Sequence, residues 1–368
     1  MARRLLPGLR VRRAFAAGAL VMMVGATDWS VGSAADDEIF FMPLSPEVLP
    51  SDVGASAFAV AGTYFDGGAF AWLPTSGARD IGGRSAAAVS HDGSTIAGNI
   101  LDARGLENAA LWHGGQWRVL GSFTPDARPC DQLLSSAFGV SRDGSVIVGL
   151  GWDGCRYAHA FRWEQGKGMV DLGSANANST RANGVSGDGR VVVGWQEDLT
   201  GPRLGAKWIN RGQDLFRGPT GPVGEAFAAN RDGSFIVGKV CDFTNTTVSS
   251  AWTWSAADGV RCYPITRPST LPNLPYSTTM LATSDDGRVI GGSFTFGLDA
   301  ESLLWLDGQG YFLKDYLREH GHPDAFRDWV NTGFITGVSP DGRTLVGYGA
   351  GRRTFQGYIV ILPERKSK

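Results

Sequence analysis

The chain has 368 residues and a formal net charge of −2. Without residues 1–35, which carry five arginines and one aspartate, the remaining 29 basic and 35 acidic residues give a net charge of −6. This acidic balance argues against nucleic acid and against an anionic membrane surface as partners. Beyond the first residues, no stretch is long and apolar enough to predict a membrane span.

The first 35 residues have the pattern of a secretory signal peptide. A basic segment at 3–13 precedes an apolar stretch at 14–26 that is too short to span a bilayer comfortably, and small residues at 33–35 form a cleavage signal. The pair Arg12-Arg13 keeps twin-arginine export open beside the general secretory route, and an uncleaved anchor is the other alternative. We predict a secreted or periplasmic protein whose mature chain is 36–368.

A short phrase that ends in Asp-Gly occurs six times in the mature chain. Each copy continues into a mostly apolar stretch that closes on a second glycine five residues after the first, and the copies recur about every 50 residues. Asp accepts hydrogen bonds from nearby backbone amides and Gly adopts positive φ, so the pair suits a tight hairpin. We assign a structural turn role to Asp92, Gly93, Asp143, Gly144, Asp188, Gly189, Asp232, Gly233, Asp286, Gly287, Asp341 and Gly342.

Each repeat is long enough for four strands. The fullest copy, 134–173, predicts an inner strand, the Asp-Gly turn, a second strand, a third strand marked by Trp163 and a fourth strand. The third-strand aromatic recurs regularly, which favours a core role over sugar stacking. Four strands in about 50 residues are typical of a propeller blade. With a degenerate unit at 56–72, we predict an all-β, seven-bladed β-propeller, and a β-solenoid is the alternative.

The two ends of the repeat array are complementary. The last unit ends at Leu362 and lacks a fourth strand, whereas residues 39–42 form a strand that belongs to no unit. We predict that this strand pairs with the last blade and closes the ring, because closure removes exposed sheet edges.

An insertion at 313–329 departs from the repeat. Residues 313–320 have the apolar spacing of a short helix, and 324–329 are expected to form a second helical turn. We expect the insertion to project from one face of the ring.

The mature chain contains four cysteines, and these allow three disulfide connectivities. They form two local pairs, Cys130 with Cys155 and Cys241 with Cys262. In an exported chain we favour these two local disulfides, with free thiols as the alternative. A four-thiolate zinc site is disfavoured because neither pair is a Cys-x-x-Cys.

One string in the third unit resembles a known repeat family. The sequence Ala-His-Ala-Phe-Arg-Trp at 158–163, with Asp-Leu-Gly at 171–173 and the phrase at 184–189, is similar to the bacterial extracellular HAF-repeat family. The resemblance covers about residues 50–363 and implies secretion and a repeat-built β fold. It implies no catalytic residues. The other units keep mainly the tryptophan and the Asp-Gly turn.

The sequence lacks the motifs of common catalytic sites. It contains no Gly-x-Ser-x-Gly, no His-Glu-x-x-His and no phosphate loop. His320, His322 and Asp324 form a poor metal site without a third firm ligand, and the repeated aspartates are better explained as turn residues than as calcium ligands. We therefore predict no catalytic, metal or cofactor site. Carboxylates could still converge at the channel mouth: Glu107, Asp153, Glu197, Asp198, Asp242 and Asp299.

These observations predict an exported, non-catalytic binding or interaction propeller for an unknown protein or glycan ligand, without a cofactor. The alternative is an extracellular glycan hydrolase or lyase on a propeller scaffold, which requires carboxylates from different blades to cluster over the channel. A functional site is expected where the phrase fails, in the first unit, the cysteine-containing loops of the third and fifth units, or the insertion.

Overall fold

The computed structural model of the chain describes residues 38–55, 59–123, 133–245, 247–269 and 274–365. Within these residues, seven antiparallel sheets surround a central channel, and contacts link each sheet to the next and the seventh to the first. The predicted all-β, seven-bladed β-propeller is confirmed, and the β-solenoid alternative is wrong. The predicted signal peptide lies outside the described residues and stays a prediction.

Each blade has four strands, which we call A to D from the channel outwards. The chain begins with β1 (Phe40–Pro46), which belongs to the last blade. Blade 1 contains β2 (Val48–Val53), β3 (Val60–Tyr64), β4 (Ala69–Leu73) and β5 (Gly77–Gly82). Blade 2 contains β6 (Ser85–Val89), β7 (Thr95–Leu101), β8 (Glu107–His113) and β9 (Gln116–Val119). Blade 3 contains β10 (Ser135–Val140), β11 (Val146–Asp153), β12 (Tyr157–Glu164) and β13 (Gly168–Asp171).

The remaining blades follow the same order with small additions. Blade 4 contains β14 (Thr180–Val185), β15 (Val191–Glu197), β16 (Arg203–Ile209) and β17 (Gly212–Leu215), and a ribbon of β18 (Arg217–Gly218) and β19 (Gly221–Pro222) follows it. Blade 5 contains β20 (Ala226–Ala229), β21 (Phe235–Gly238), β23 (Ala251–Ser255) and β24 (Gly259–Tyr263). Blade 6 contains β25 (Tyr276–Thr283), β26 (Val289–Phe296), β27 (Asp299–Leu306) and β28 (Gln309–Phe312), and β22 (Val248–Ser249) lies parallel to β25. Blade 7 contains β29 (Trp329–Val338), β30 (Thr344–Gly351), β31 (Phe355–Ile361) and β1.

The alternating strand direction gives the ring two distinct faces. The turns between strands A and B of all blades lie at one end, and the turns between strands B and C lie at the other end. We call these the A–B face and the B–C face. The connections from one blade to the next also lie on the B–C face, because strand D ends there and the next strand A begins there.

Five A–B turns are organised by a hydroxyl and a carboxylate. In blade 3, Ser141 Oγ donates to Asp143 Oδ1 (2.6 Å) and accepts from Val146 N (2.9 Å), while Asp143 Oδ1 accepts from Ser145 N (3.0 Å). Gly144 follows with a φ of 73°. The Ser–Asp bond recurs at Ser90–Asp92, Ser186–Asp188, Ser284–Asp286 and Ser339–Asp341, and Asn230 replaces the serine in blade 5. The turn is therefore a four-residue loop that the repeated phrase stabilises by itself.

The second glycine of each repeat is required by a bulge in strand A. In blade 3 the register between β10 and β11 skips Phe138, and a Cβ on Gly149 would overlap Ser136 O and the ring of Phe161. A Cβ would likewise overlap an A-strand carbonyl oxygen at Gly62, Gly98, Gly194, Gly238, Gly292 and Gly347. The bulge turns one side chain of each A strand into the channel, and the glycine leaves room for it.

The N-terminal strand closes the ring, as predicted. β1 pairs with β31 and supplies strand D of blade 7. On β1, Met42 and Leu44 are buried in one cluster with Val48 of blade 1 and Ile359 of blade 7. β1 therefore holds the first and last blades together through both hydrogen bonds and apolar packing. Blade 1 is the degenerate unit, but its strand A, β2, lies earlier in the chain than the predicted unit at 56–72.

Large aromatic residues of strand C lie between neighbouring blades. Trp72, Trp163, Trp208 and Trp305 are buried, whereas Trp112 and Trp254 are half-buried. The prediction that these tryptophans belong to the core is confirmed for the four buried ones, which contribute large apolar areas to the inter-blade packing.

The insertion contains one helix, α1 (Leu313–Glu319). Leu313 and Leu317 are fully buried in a cluster with Leu304 of blade 6 and Tyr358 of blade 7. The helix thus seals the space between two blades, and the prediction that the insertion projects from one face is wrong. Residues 324–328 form turns instead of the expected second helical turn. Among the described residues, no helix is long and apolar enough to cross a membrane.

Candidate functional site

The central channel is lined at its waist by the bulge residues of the A strands. These are Ser51, Ala87, Phe138, Asn183, Phe227, Leu281 and Thr336. A cavity of about 210 Å³ lies on the A–B side of this waist, and a second cavity of about 320 Å³ lies on the B–C side. Five of the bulge residues line both cavities, so the cavities are two ends of one channel.

The A–B mouth is narrowed by a circle of backbone hydrogen bonds between successive turns. His91 N donates to Arg142 O (2.9 Å), and Arg142 N donates to Gly187 O (3.0 Å). Between blades 6 and 7, Asp285 N donates to Pro340 O (2.9 Å). The Arg142 guanidinium also forms an ion pair with the carboxylate of Asp285, which belongs to a blade three positions further round the ring. This ion pair crosses the channel and obstructs the A–B mouth.

One carboxylate, Asp52, lies in the channel wall on β2. The residue that follows the bulge is glycine or alanine in the other six blades, such as Gly139 in blade 3, and it is aspartate in blade 1. The half-buried Asp52 carboxylate accepts from Val53 N (2.8 Å) and from Val89 N of blade 2 (3.0 Å). Burial raises the pKa of Asp52 from 3.8 to about 6, although the two backbone donors oppose this shift.

The B–C mouth carries a group of cations stacked on aromatic rings. The guanidinium of Arg181 lies 4.6 Å from the ring centroid of Phe138 and 5.7 Å from that of Trp195. The guanidinium of Arg203 lies 4.4 Å from the Trp195 centroid, so two cations share one indole. Arg181 lines the cavity on this side of the channel. Desolvation lowers the pKa of Arg181, Glu225 opposes that shift, and Arg203 reinforces it.

A single buried carboxylate joins this group to blade 5. Glu225 Oε1 lies 3.4 Å from Arg203 Nη1 and 3.3 Å from Lys239 Nζ. Lys239 Nζ also lies 5.4 Å from the ring centroid of Phe227, a bulge residue of the channel waist. Two cations therefore pair with one carboxylate at the B–C mouth, and its charge also acts on Arg181. We call Arg181, Arg203, Lys239 and Glu225 the cation cluster.

The B–C face also exposes large apolar side chains around the cation cluster. Six of the seven blades carry one beside the B–C turn: Phe65, Leu101, Leu199, Phe243, Leu298 and Phe355. We call these six residues the apolar ring. Phe65 and Phe355 stack on each other with centroids 5.2 Å apart, which joins blades 1 and 7 at the surface. At the A–B ends of the C strands, exposed large apolar residues include Leu73 and Ile209.

The histidine of the HAF-like string makes a structural contact. His159 Nδ1 lies 2.9 Å from Asp171 Oδ2, so the third and fourth strands of blade 3 are joined by a side-chain bond. The hydrogen bond that His159 Nδ1 donates to Asp171 raises the pKa of His159, and burial of the ring opposes this shift.

The structure does not bring the predicted carboxylates into the channel. Glu107, Asp153, Glu197, Asp198, Asp242 and Asp299 lie at five B–C turns, with Glu197 and Asp198 in the same turn, and none lines either channel cavity. Several have local partners: Asp198 accepts from Thr200 Oγ1, Asp242 from Thr244 N and Asp299 from Asn331 Nδ2. Convergence of these six at the channel mouth is therefore wrong as a prediction.

Other predicted site residues have different outcomes. The disulfide between Cys241 and Cys262 is confirmed and joins the B–C turn of blade 5 to its strand D. Cys155 is exposed, while Cys130 lies outside the described residues, so their pairing stays a prediction. His320 stacks on Tyr316 with centroids 4.1 Å apart. Across the described ranges, no group of three His, Cys, Asp or Glu side chains could hold a metal ion.

Neither the cation cluster nor the apolar ring was predicted from the sequence. One feature of the sequence could have indicated Arg181: it is a charged residue in a predicted inner strand, at a position where blades 2 and 3 carry the serines Ser85 and Ser136. The signal for the apolar ring was a leucine or phenylalanine inside or beside a polar turn, as at Leu199 and Leu298. Neither signal shows by itself that the residues share one face.

Known protein structures show the same fold at low sequence identity. No family model matches the chain, and no curated protein matches it. An oligogalacturonate lyase in complex with manganese is 12% identical with a TM-score of 0.53, and the match covers 89% of this chain and 97% of that chain. The β-propeller domain of the Trilobed protease from Pyrococcus furiosus, which has an open velcro topology, is 11% identical with a TM-score of 0.52 over 85% of this chain and 95% of that chain.

TolB from Acinetobacter baumannii is also similar, with 13% identity and a TM-score of 0.45 over 73% of this chain. The match covers 63% of that TolB, less than two thirds of its length. At identities of 11 to 13%, the similarities to the lyase and to the protease domain show the fold alone. The function of this chain therefore has to be argued from its own residues.

Proposed function

We propose that this chain is an exported, non-catalytic binding propeller whose B–C face docks a protein partner. The observation that carries this proposal is the apolar ring, which places an exposed large apolar side chain on that face in six of seven blades. Apolar side chains gathered on one face of a soluble protein mark interaction surfaces. The ion pair of Arg142 with Asp285 obstructs the opposite mouth, so a ligand of the channel would enter from the B–C face.

Export is supported by two independent features. Residues 1–35 have the pattern of a signal peptide, and the Cys241–Cys262 disulfide is compatible with an oxidising compartment. The resemblance to the HAF-repeat family implies secretion as well. We therefore place the binding function outside the cytoplasm, in the periplasm or in the medium.

An extracellular glycan hydrolase or lyase is the second candidate, because the fold is similar to that of an oligogalacturonate lyase. A hydrolase would need two carboxylates about 5–9 Å apart over the substrate. The six candidate carboxylates lie at B–C turns and line neither channel cavity, and the carboxylate at the B–C mouth, Glu225, is neutralised by Arg203 and Lys239. The geometry therefore supports binding better than hydrolysis.

Two matched double variants test the proposed face. Leu199→Ser with Leu298→Ser removes two apolar side chains from the B–C face, and Leu73→Ser with Ile209→Ser removes two from the A–B ends. Each protein is immobilised, partners from the exported fraction of the native cell are cross-linked and quantified, and folding is checked by thermal unfolding. We expect the first variant to lose a partner about tenfold and the second to retain it.

Retention of every partner by both variants would contradict the proposal, as would equal loss from both. Wild-type protein is also incubated with oligogalacturonate, and the absorbance of unsaturated product is followed. Steady product formation would favour the second candidate over the binding function.

A further inference from the structure

We propose that the cation cluster at the B–C mouth binds an acidic segment of the partner polypeptide. This inference rests on the proposed function and specifies the chemistry of the ligand. The cluster contains three cations and one carboxylate, and the side chains of Arg203 and Lys239 are 52% and 33% exposed. An anionic group can therefore reach the cations that Glu225 only partly neutralises.

The aromatic rings hold the cations in place. Trp195 is buried, and its indole is covered by the guanidiniums of Arg181 and Arg203. Arg181 Nε also donates to Asn183 Oδ1 (2.7 Å), while no described carboxylate lies within ion-pair distance of its guanidinium. This leaves the terminal guanidinium nitrogens of Arg181 oriented by stacking and available to an anion at the channel cavity. Such preorganisation lowers the entropy cost of binding.

The surroundings favour a polypeptide over an anionic glycan. The rings of Phe138, Trp195 and Phe227 each have a cation within 4.4–5.4 Å of the ring centroid, which leaves less ring surface for stacking against a sugar. At the B–C turns outside the mouth, the apolar ring supplies contacts suited to leucine or phenylalanine side chains. A segment with acidic residues in the centre and apolar residues at its ends matches both features.

The test uses the purified protein and three fluorescein-labelled probes. The first is a peptide of six glutamates flanked by leucines, the second has glutamines in place of the glutamates, and the third is hexagalacturonate with the same charge as the first. Fluorescence anisotropy is measured at two salt concentrations. We expect the glutamate peptide to bind at least about tenfold more tightly than either other probe and to weaken as salt rises.

Variants show whether the cluster is responsible. Arg181→Ser with Arg203→Ser is expected to weaken binding of the glutamate peptide about tenfold or more. Arg181→Lys keeps the charge but loses the planar group that stacks on Phe138 and Trp195, so we expect its affinity for the glutamate peptide to lie between those of wild type and the double variant. Arg190→Ser removes an arginine that is 83% exposed on the A–B face and is the matched control, which should leave binding unchanged. Thermal unfolding confirms that each variant is folded.

The outcomes separate the two proposals. Binding of hexagalacturonate as tight as that of the glutamate peptide overturns the polypeptide assignment, and so does absence of binding or equal loss in the Arg190→Ser control. If the Leu199→Ser, Leu298→Ser variant loses its partner while the Arg181→Ser, Arg203→Ser variant keeps it, the proposed function stands and this inference fails. If neither variant loses a partner, the proposed function itself fails.

Discussion

Ring closure by β1 can be tested with two side chains. Met42 is 4% exposed and Leu44 is 5% exposed, and both pack between blade 7 and blade 1. Their neighbours Pro43 and Ser45 are exposed, so β1 alternates between a buried and a solvated face. The perturbation is Met42→Ala with Leu44→Ala, which removes the buried face of β1 and leaves its backbone hydrogen bonds to β31.

The expected magnitude follows from the size of the removed groups. Truncation of a buried methionine or leucine to alanine costs about 2–5 kcal/mol. Because the two side chains share one cluster at the edge of a sheet, we take the lower end for each and expect a loss of about 4–5 kcal/mol in the free energy of unfolding. Single domains have stabilities of about 5–15 kcal/mol, so this loss is a large part of the total.

The assay is urea unfolding followed by tryptophan fluorescence, since Trp72 belongs to the same cluster. The unfolding midpoint should fall while the slope stays constant, which indicates that the ring still unfolds as a unit. Ser45→Ala on the solvated face of β1 is the control and should change the free energy of unfolding by less than about 0.5 kcal/mol. An unchanged midpoint for the double alanine variant would refute the role of β1 in closing the ring.

Three further predictions concern a disulfide and two titratable groups. Replacing Cys241 and Cys262 with serine opens a loop with a sequence separation of 21, and calorimetry should show a loss of about 3 kcal/mol; an equal melting temperature in wild type and variant would contradict this. The bond to Asp171 raises the pKa of His159, so its stabilisation is complete below about pH 6.5 and is lost as pH rises through the raised pKa. His159→Asn should therefore destabilise more at pH 5.5 than at pH 8.5, and a pH-independent cost would be inconsistent with the ion pair. Burial raises the pKa of Asp52 to about 6. The folded state therefore loses stability as the pH rises from about 4 to 6 and the carboxyl group ionises. The loss is about 3 kcal/mol at most, and it is smaller where water in the channel screens the charge. In urea unfolding, the stability of Asp52→Asn relative to wild type should therefore increase over that pH range. Parallel plots of the free energy of unfolding against pH for the two proteins would rule out the raised pKa.

Much of the fold was predictable because each blade is specified by short-range interactions. The bonds among Ser141, Asp143 and Val146 lie within six residues of the chain, so the repeated phrase indicates the hairpin wherever it occurs. The Cys241–Cys262 pair joins the B–C turn of blade 5 to strand D of the same blade, which local pairing anticipates. The position of the inner strand of blade 1 was missed because that blade lacks the phrase.

The candidate site was less predictable because its members come from different blades. Phe138, Arg181 and Lys239 belong to blades 3, 4 and 5 and meet only when the A strands surround the channel. The six carboxylates expected there lie instead at the B–C turns, farther from the axis. The spacing of residues along one strand carries no information on the radial distance from a channel that seven blades form together.

The amino-acid sequence by itself determined the seven blades, the strand at the N-terminus that closes them and the turns on the A–B face. The blades and turns depend on turn residues, strand pattern and glycines whose partners lie nearby in the chain, and the closing strand was indicated by a last unit that lacks a fourth strand. The tertiary structure alone decided that α1 seals blades 6 and 7, that Arg142 and Asp285 meet across one mouth, and that the cation cluster and the apolar ring share the other face. Those arrangements depend on contacts between different blades, which form only when the blades pack around the channel.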